Sequence, residues 1–461
     1  MKNFLYLTKN HTIQFTFRKL TGIFGKIVVV RNKKKVLIGV ITEGDLRRAL
    51  LNGFSLNDKL EKIINTNSTF LYKNELLKNK IIKSNFNYSN LDQSILSIPI
   101  VDEKKRVIEV LSRENVFNIL KRKKKIKNKI HKNASNVLII GGAGYIGSTL
   151  TNLLLKENFK VTIIDKLLYD KKVINSFKNY KNFKFIKADI CNLGIQISSI
   201  KNIDIVVFLA ELVGDPACNV RPEDALKTNY LSLSSLACLC SHLNIRKFIY
   251  TSSCSVYGVN KKNNFLTESS PLNPVSHYAR IKIMSEKSLL SNSTQSFQPT
   301  ILRLGTVFGP SLRNRFDLVV NTFAKNAFFK KKIEVFGGNQ WRPNIHVEDV
   351  ANGIISVINS PREKVGNKIF NLSNDKANYQ IIQIAKFAKK EFPFLKLGII
   401  NHSGDNRNYR VSSRKFVKAT NFKPRKSIID CYKEFKKIFL KKIIKNPDNK
   451  IFSNIETLKK R

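Results

Sequence analysis

The chain has 461 residues, 42% hydrophobic and 25% charged, so it can bury a sizeable core and is too long for one ordinary domain. This composition excludes wholesale disorder, a collagen-like repeat and a coiled coil. The 82 Lys and Arg against 33 Asp and Glu give a net charge of +49, but the excess is spread along the chain as on a solvated surface, whereas a nucleic-acid site requires clustering.

No apolar stretch approaches the ~20 residues that a membrane span needs. The amino terminus turns polar at Lys9-Asn10, so we expect no secretory signal there. The six cysteines lack paired CxxC spacing, which favours reduced thiols over disulfides or a zinc site. We therefore expect a cytoplasmic protein without a metal.

The first elements in chain order form an internal repeat. Short β-rich runs at residues 26–31 and 36–41 precede residues 43–52, which have helical spacing. A weaker copy follows at residues 97–102, 106–111 and 113–120. The sequence therefore predicts two β-β-α units over residues 1–120.

The segment Gly39-Val-Ile-Thr-Glu-Gly-Asp-Leu-Arg-Arg48 resembles the strand-to-helix signature of CBS domains, and residues 1–120 are similar to a tandem, α+β CBS-domain pair. The resemblance implies a regulatory adenine nucleotide, with Thr42 at its phosphate and Asp45 at its ribose. Thr42 would begin a helix, where free N–H groups favour an anion. In the second copy Ser112 could replace the threonine, but Asn115 stands where the aspartate should be. At most one site is therefore intact, and a structural or dimerising role stays open.

Residues 121–135 are basic and show almost no hydrophobic periodicity, which predicts a linker. An apolar strand follows at once, at Asn136. The dense run Lys121–Lys132 lacks the aromatic or polar readers of a nucleic-acid site, so we expect no nucleic-acid partner.

Downstream, apolar strands alternate with helical segments. The strands begin at Asn136, Lys160, Phe183, Asp204, Lys247 and Thr300. Continuous runs of Val and Ile separated by helices indicate a parallel sheet covered on both faces. We predict an α/β fold over residues 136–440, with a doubly wound parallel sheet of the Rossmann kind and a smaller C-terminal substrate-binding part. A basic tail would follow at 441–461.

A glycine-rich turn follows the first of these strands and opens a helix. Gly141, Gly144 and Gly147 have GxxGxxG spacing, and Asp165 ends the next strand 18 residues after Gly147. Glycines permit close approach of the backbone to a pyrophosphate, while an acid accepts from ribose hydroxyls and repels a 2′-phosphate. The pattern predicts a dinucleotide site that prefers NAD to NADP.

Tyr278 and Lys282 are one helical turn apart on one face. A lysine cation near a phenol lowers the tyrosine pKa from ~10 toward neutrality, which makes a general acid and base for an alcohol under oxidation. The hydroxyl-rich segment Thr251-Ser-Ser-Cys-Ser-Val-Tyr-Gly258 ends a strand upstream. These residues predict a catalytic site.

Together the motifs resemble the extended short-chain dehydrogenase/reductase family, in particular nucleotide-sugar epimerases of the UDP-galactose 4-epimerase kind, over roughly residues 136–435. The resemblance implies that Ser253 is the catalytic serine, Tyr278 the acid and base, and Lys282 a ligand of the nicotinamide ribose. It also implies a set of NAD-binding residues: Gly141, Gly144, Tyr145, Ile146, Gly147, Asp165, Asp189, Ile190, Leu209, Ala210, Asn229 and Lys282.

On the substrate side, the resemblance implies that Asn321, Arg342 and Arg407, together with Ser253, bind a nucleotide-diphosphate sugar. Arginine forks suit a diphosphate, although for either arginine a solvated salt bridge stays open. His346 is expected to support the fold.

Some residues depart from the family pattern. Ile140 replaces a threonine, Glu211 replaces a usual alanine, and Thr306 stands where several epimerases have asparagine. None of the three is expected to touch the chemistry. Cys254-Ser255 replaces the Asp-Glu of sugar 4,6-dehydratases, which disfavours elimination of water.

The sequence thus predicts an NAD-dependent nucleotide-sugar epimerase, an isomerase that inverts C4 through a transient 4-keto sugar. We expect a homodimer that serves polysaccharide biosynthesis and is regulated through its CBS pair. Two alternatives stay open. One is a nucleotide-sugar 4-reductase or oxidoreductase with an exchangeable cofactor, and the other is a CBS-gated sensor that binds NAD without turnover.

Overall fold

The computed structural model describes residues 4–20, 27–74, 97–112, 116, 135–243, 245–260, 264–401 and 407–459. The chain divides into two units, Met1–His131 and Lys132–Arg461. The boundary lies within the predicted linker, of which residues 121–134 are outside the described ranges. Ser135 belongs to the second unit, because its carbonyl accepts from the Lys160 N–H at 3.3 Å and its hydroxyl from Arg246 at 2.8 Å.

Two three-stranded sheets lie in the described part of the amino-terminal unit. The first contains β1 (Phe4–Leu7), β2 (Ile27–Arg31) and β3 (Leu37–Thr42), with helices α1 (Ile13–Leu20) and α2 (Glu43–Leu51). The second contains β4 (Leu71–Tyr72), β5 (Ser97–Val101) and β6 (Val107–Ser112).

The two sheets share one pairing pattern. In each, the first pair of strands is parallel and the second is antiparallel. Thr42 and Ser112 occupy equivalent register positions, each opposite the first residue of the neighbouring strand. The predicted repeat is therefore present in the strand order, while Asn115 lies outside the described residues.

The second unit alternates strands and helices. Its strands are β7 (Asn136–Ile140), β8 (Lys160–Asp165), β9 (Phe183–Lys187), β10 (Ile205–Phe208), β11 (Lys247–Ser253), β12 (Phe265–Leu266), β13 (Thr300–Leu304), β14 (Thr306–Phe308), β15 (Lys332–Phe336), β16 (Trp341–His346), β17 (Lys368–Leu372), β18 (Asn378–Gln380), β19 (Lys396–Ile400) and β20 (Arg410–Val411). Its α-helices are α3 (Tyr145–Lys156), α4 (Leu193–Ser199), α5 (Asp215–Val220), α6 (Pro222–Leu226), α7 (Ser232–His242), α8 (His277–Ser291), α9 (Val319–Phe329), α10 (Val347–Asn359), α11 (Arg362–Val365), α12 (Ile381–Glu391), α13 (Arg414–Thr420), α14 (Ile428–Leu440) and α15 (Asn454–Lys459).

Seven strands form one parallel sheet in the order β17-β13-β11-β10-β7-β8-β9. The central strands are continuous apolar runs, fully buried at Val137–Ile140 and Ile205–Phe208. Helices α3 and α10 pack on one face of the sheet, and α7 and α8 pack on the other. The predicted doubly wound α/β fold is confirmed.

The position of β7 locates the ligand crevice. This strand lies between β8 and β10, so the strand order reverses there. In open parallel sheets, ligands bind outside the carboxyl ends of the strands at such a reversal. The glycine-rich turn begins directly after β7, at Gly141.

The smaller carboxyl-terminal part has its own core, in which α9, α12 and α14 pack together. Beside it, β14, β16 and β18 form a sheet, β15 pairs with β19, and β12 pairs with β20. Residues 441–461 were expected to form a basic tail, but the structure differs, because α15 packs onto the second unit. The apolar Leu458 of α15 is buried in a cluster that contains Tyr278. Within the described ranges, no helix combines the length and apolar character that crossing a membrane requires.

Candidate active site

The glycine-rich turn fits a pyrophosphate. Gly141 has a φ of +84°, and a Cβ there would lie 2.7 Å from the Ala210 nitrogen. A Cβ on Gly147 would lie 2.2 Å from the Gly141 oxygen, so both positions require glycine. Gly144 caps α3, and among the described residues no side chain bonds to the N–H groups of that cap. The free N–H groups at the start of α3, which includes Tyr145 and Ile146, are therefore available to an anion.

The acidic residues predicted for the adenosine end of the cofactor line a depression. Its wall contains Asp165, Asp189, Ile190, Leu209 and Ala210. Asp165 accepts from the Ala143 and Leu167 N–H groups at 3.0 and 2.8 Å, while burial raises the pKa of its carboxyl. Asp189 pairs with Lys166 at 3.1 Å. The arrangement suits ribose and adenine, as NAD requires.

Two predicted ligand residues have a different setting. Asn229 is fully buried, and its amide bonds to both the N–H and the carbonyl of Leu212 at 2.9 Å. Asn321 is also fully buried; its oxygen accepts from the Gly309 N–H at 2.9 Å, and its nitrogen donates to the Tyr145 hydroxyl at 3.1 Å. Neither lines the described cavities. Their amides are used within the protein, where they fix the chain beside the site, and their contact with ligands stays a prediction.

The predicted catalytic residues meet in one cavity of about 560 Å³, lined by Ser253, Tyr278 and Lys282 and by both predicted arginines. Ser253 ends β11, and its hydroxyl accepts from the Ser255 N–H at 3.1 Å. Tyr278 lies in the first turn of α8, which Ser276 caps by accepting from the Ala279 N–H at 3.2 Å. The cavity volume is within the ~300–1,000 Å³ typical of ligand sites.

Lys282 forms a buried ion pair with Glu211 and donates to the Thr251 carbonyl. The Tyr250 hydroxyl donates to the same Glu211 carboxylate at 2.9 Å. The Lys282 ammonium lies 5.5 Å from the centroid of the Tyr278 ring. The expectation that Glu211 stands apart from the chemistry is therefore wrong, because this carboxylate directly neutralises the catalytic lysine.

The pKa of Tyr278 also differs from expectation. Burial raises this pKa well above its ordinary value, and the negative charge of Glu211 raises it further. Burial also lowers the pKa of Lys282 and raises that of Glu211, while the attraction within the pair opposes both shifts. Burial and the Glu211 charge thus oppose the lowered tyrosine pKa predicted from the spacing of Tyr278 and Lys282.

Two arginines from separate segments lie at one end of the cavity. Arg342 is buried, and its guanidinium donates to the carbonyls of Trp341, at 2.9 Å, and of Arg407. Arg407 pairs with Asp215 at 3.3 Å. Asp215 also lines the cavity and was missed in the sequence, where Gly214-Asp215 reads as an ordinary turn.

Arg313 is a further cavity residue that the sequence patterns did not indicate. It is 2% exposed and stacks over the Tyr169 ring at 4.1 Å. Its Nη2 donates to the Asn454 side chain at 2.7 Å and to the Ile451 carbonyl at 3.3 Å, while its Nε has no hydrogen-bond partner within the described ranges. Burial lowers the pKa of its guanidinium to about 10. The sequence did not single out Arg313, because no motif distinguishes one arginine among the 82 Lys and Arg of the chain.

The predicted supporting role of His346 agrees with its contacts. The side chain is 1% exposed and caps α10 by accepting from the Glu348 N–H at 3.2 Å. Its other ring nitrogen bonds to Glu434 at 3.1 Å. It does not line the described cavities.

In the amino-terminal unit, Thr42 and Asp45 form the cap of α2. The Thr42 hydroxyl accepts from the Asp45 N–H at 3.1 Å, and the Asp45 carboxylate accepts from the Thr42 N–H at 2.8 Å. Partial burial opposes the effect, but these bonds and the Arg48 guanidinium lower the pKa of Asp45. The two predicted nucleotide residues are therefore adjacent and already bonded to each other.

The parallel sheet, the glycine turn and the Tyr278–Lys282 pair define a dinucleotide-dependent enzyme of the short-chain dehydrogenase/reductase kind. The model of the NAD dependent epimerase/dehydratase family matches residues 137–373, and the CBS domain model matches residues 1–52. The chain belongs to the NAD-dependent epimerase/dehydratase family and carries an amino-terminal CBS domain. Family, fold class and cofactor are thereby confirmed.

Individual relatives agree with this assignment. An uncharacterized protein of Methanocaldococcus jannaschii is 31% identical over 324 residues, which are 66% of this chain and 96% of the relative. The UDP-glucuronate 4-epimerase of Thermodesulfobacterium geofontis is 28% identical over 55% of this chain and 79% of its own length. The crystal structure of UDP-glucuronic acid 4-epimerase from Bacillus cereus, with UDP-glucuronic acid and NAD, has a TM-score of 0.59 at 24% identity and covers 66% of this chain and 99% of its own.

Relatives of comparable identity are named for other reactions. They include a UDP-glucuronic acid decarboxylase of Xenopus tropicalis, 26% identical over 65% of this chain and 72% of its own length. They also include a human dTDP-D-glucose 4,6-dehydratase, 28% identical over 55% of this chain and 73% of its own length. The reaction of this chain therefore has to be argued from its own site.

Proposed function

We propose that this protein is a nucleotide-sugar epimerase that inverts C4 of the sugar through a transient 4-keto intermediate. The proposal rests on the two residues directly after Ser253. Cys254 and Ser255 are both buried, and the Cys254 thiol donates to the Arg303 carbonyl at 3.3 Å. Related 4,6-dehydratases have Asp and Glu here to eliminate water. Ser253, Tyr278 and Lys282 remain, which suffice for oxidation and reduction of an alcohol.

Each residue of the site has a role in this reaction. Tyr278 would take the proton from the sugar hydroxyl as phenolate and return it as phenol, acting as general base and then general acid. Ser253 donates a hydrogen bond to the same oxygen as negative charge develops on it. Lys282 orients the nicotinamide ribose. The glycine turn and Lys282 would hold NAD, which when bound would supply the hydride acceptor for the oxidation and the hydride donor for the reduction.

Inversion requires the sugar to turn over without leaving the enzyme. Arg342 and Arg407 lie together in the cavity wall and bear the charge that a nucleotide diphosphate needs. Anchoring the diphosphate there leaves the sugar free to rotate beside Tyr278. Arg313, from a separate segment of the wall, would supply a buried cation to the cofactor's diphosphate, because no carboxylate pairs with it among the described residues and a buried unpaired charge is costly.

The experiment follows epimer formation by NMR with NAD and a panel of UDP-, GDP-, CDP- and dTDP-sugars. Tyr278→Phe should abolish inversion, whereas Tyr180→Phe, a tyrosine outside the cavity, should leave it unchanged. Absorbance of NADH is followed in the same samples. Net formation of NADH would identify an oxidoreductase instead, and inversion at full rate by Tyr278→Phe would refute the assignment.

We propose further that the CBS unit binds an adenine nucleotide at Thr42 and Asp45 and thereby alters the enzyme. The support is the position of both residues at the start of α2, where N–H groups favour phosphate. A homodimer stays a prediction, which light scattering of the full chain would test.

A further inference from the structure

Glu211 is a buried carboxylate in the wall of the catalytic cavity. It follows β10 at the carboxyl edge of the sheet, where the epimerases that this chain resembles usually have alanine. Its side chain is 4% exposed and pairs with Lys282, whose own side chain is 2% exposed. The residue lines both the adenosine-end depression and the catalytic cavity. It therefore lies beside the path of the cofactor.

Two contacts hold the Glu211 carboxylate in place. One oxygen accepts from the Tyr250 hydroxyl at 2.9 Å, and the other pairs with the Lys282 ammonium. The ammonium is held from its other side by the Thr251 carbonyl. Lys282 thus has two fixed partners, Thr251 on β11 and Glu211 in the segment after the neighbouring β10, and both strands end at the cofactor crevice.

Three nearby carboxylates are each paired with an arginine, whereas Glu211 is paired with Lys282. Asp215 pairs with Arg407, Glu286 pairs with Arg303, and Asp317 pairs with Arg315. With alanine at position 211, Lys282 would be an uncompensated cation. With Glu211 present, the net charge of the pair is zero.

We propose that Glu211 is a positioning residue that holds the Lys282 ammonium and makes the site favour oxidised over reduced nicotinamide. The oxidised ring carries a positive charge and the reduced ring is neutral. By cancelling the Lys282 charge, the Glu211 carboxylate removes a repulsion that would act on the oxidised ring alone, and burial reduces the solvent screening of that repulsion. For a two-electron couple, each tenfold change in the affinity ratio corresponds to about 30 mV.

The preference bears on the reaction itself. A redox-neutral epimerase must begin each cycle with oxidised cofactor and return the hydride to the ketone. A reductase instead has to take NADH from solution. A carboxylate that favours the oxidised ring promotes hydride return and suits inversion.

The test compares the affinities of NAD⁺ and NADH for the full chain freed of cofactor, measured by calorimetry without sugar. Mildly acidic pH keeps an unpaired lysine protonated. Glu211→Gln and Glu211→Ala should each lower the affinity for NAD⁺ relative to NADH by about tenfold or more. Tyr250→Phe leaves the carboxylate in place and should shift the ratio less. Glu434→Gln, which removes a carboxylate outside the cavity, should leave the ratio unchanged.

The outcomes separate this inference from the proposed function, on whose cofactor site it rests. An unchanged ratio in folded Glu211 variants would overturn the role of Glu211 and leave the epimerase proposal intact. Wild-type protein that binds neither cofactor form would overturn both. Should the variants fail to fold, wild-type protein that binds NADH more tightly than NAD⁺ would still refute the inference.

Discussion

The Glu286 carboxylate and the Arg303 guanidinium form a buried, two-point ion pair between α8 and β13, with nitrogen to oxygen distances of 3.0 and 2.7 Å. The Ser252 hydroxyl donates to the same carboxylate at 2.5 Å, and Arg303 also donates to the Tyr257 hydroxyl at 3.0 Å. The pair therefore joins the strand that ends at Ser253 to the helix that carries Tyr278.

Glu286→Gln should lower the free energy of unfolding by about 3–5 kcal/mol, because it leaves the Arg303 charge buried and unpaired. Urea unfolding of the full chain measures the change. Glu456→Gln breaks an exposed pair with Lys459 and should cost no more than about 1 kcal/mol. Similar losses in both variants would contradict the role of the buried pair.

Arg313→Gln should weaken NAD binding by about tenfold to a hundredfold, since hydrogen bonds to charged groups contribute about 1.5–3 kcal/mol. The same change should raise the thermal stability of the cofactor-free protein, because it removes a buried cation that has no carboxylate partner among the described residues. Calorimetry and thermal unfolding measure the two effects. Arg280→Gln, an exposed change on α8, is the matched control. Lost stability with unchanged NAD affinity would show that Arg313 only supports the fold.

Acid should weaken the contact between Asp317 and the carboxyl-terminal segment. Burial opposes the effect, but the Arg315 pair and the Asn454 N–H, at 2.9 Å, lower the pKa of Asp317. Its contribution is complete above the unfolded pKa of ~3.9 and is lost as the pH falls through the lower folded pKa. Asp317→Asn should therefore lose less stability than wild type over that range in urea unfolding. Parallel acid curves would contradict this prediction.

ATP or AMP should raise the thermal stability of the full chain and affect turnover more weakly, with coupling of about 1–3 kcal/mol. Asp45→Ala should abolish the nucleotide-induced shift. Because that change also removes a helix cap, which costs about 1 kcal/mol, the shift on adding nucleotide is the proper measure. Asp58→Ala in the same unit, which removes the bond to the Ser55 N–H at 2.7 Å, is the control. Calorimetry without binding at millimolar nucleotide would leave the CBS unit a dimerisation element.

The sheet and the cofactor turn were predictable because their signals are local in the chain. Apolar strand runs and the spacing of Gly141, Gly144 and Gly147 directly reflect backbone requirements. The spacing of Tyr278 and Lys282 likewise placed both residues in one cavity. Local periodicity is thus a sufficient guide where one element supplies the whole motif.

Contacts between distant segments were not predictable. Glu211 meets Lys282 across 71 positions of sequence, and Arg313 meets Asn454 across 141. The amides of Asn229 and Asn321 suit a ligand as well as a backbone group, so only the fold shows which they bind. The compensation of the Lys282 charge beside Tyr278 results from packing between distant segments, so the spacing of residues in the sequence does not reveal it.

The burial of Cys254 also constrains how this enzyme can diverge. Cys254 is 1% exposed, and burial raises the pKa of its thiol; Arg303 opposes this shift, while Glu268 and Glu286 add to it. An aspartate introduced there by mutation would enter a space that already disfavours negative charge. An aspartate at position 254 should therefore lower the stability of the folded protein unless the Glu286–Arg303 pair beside it is rearranged.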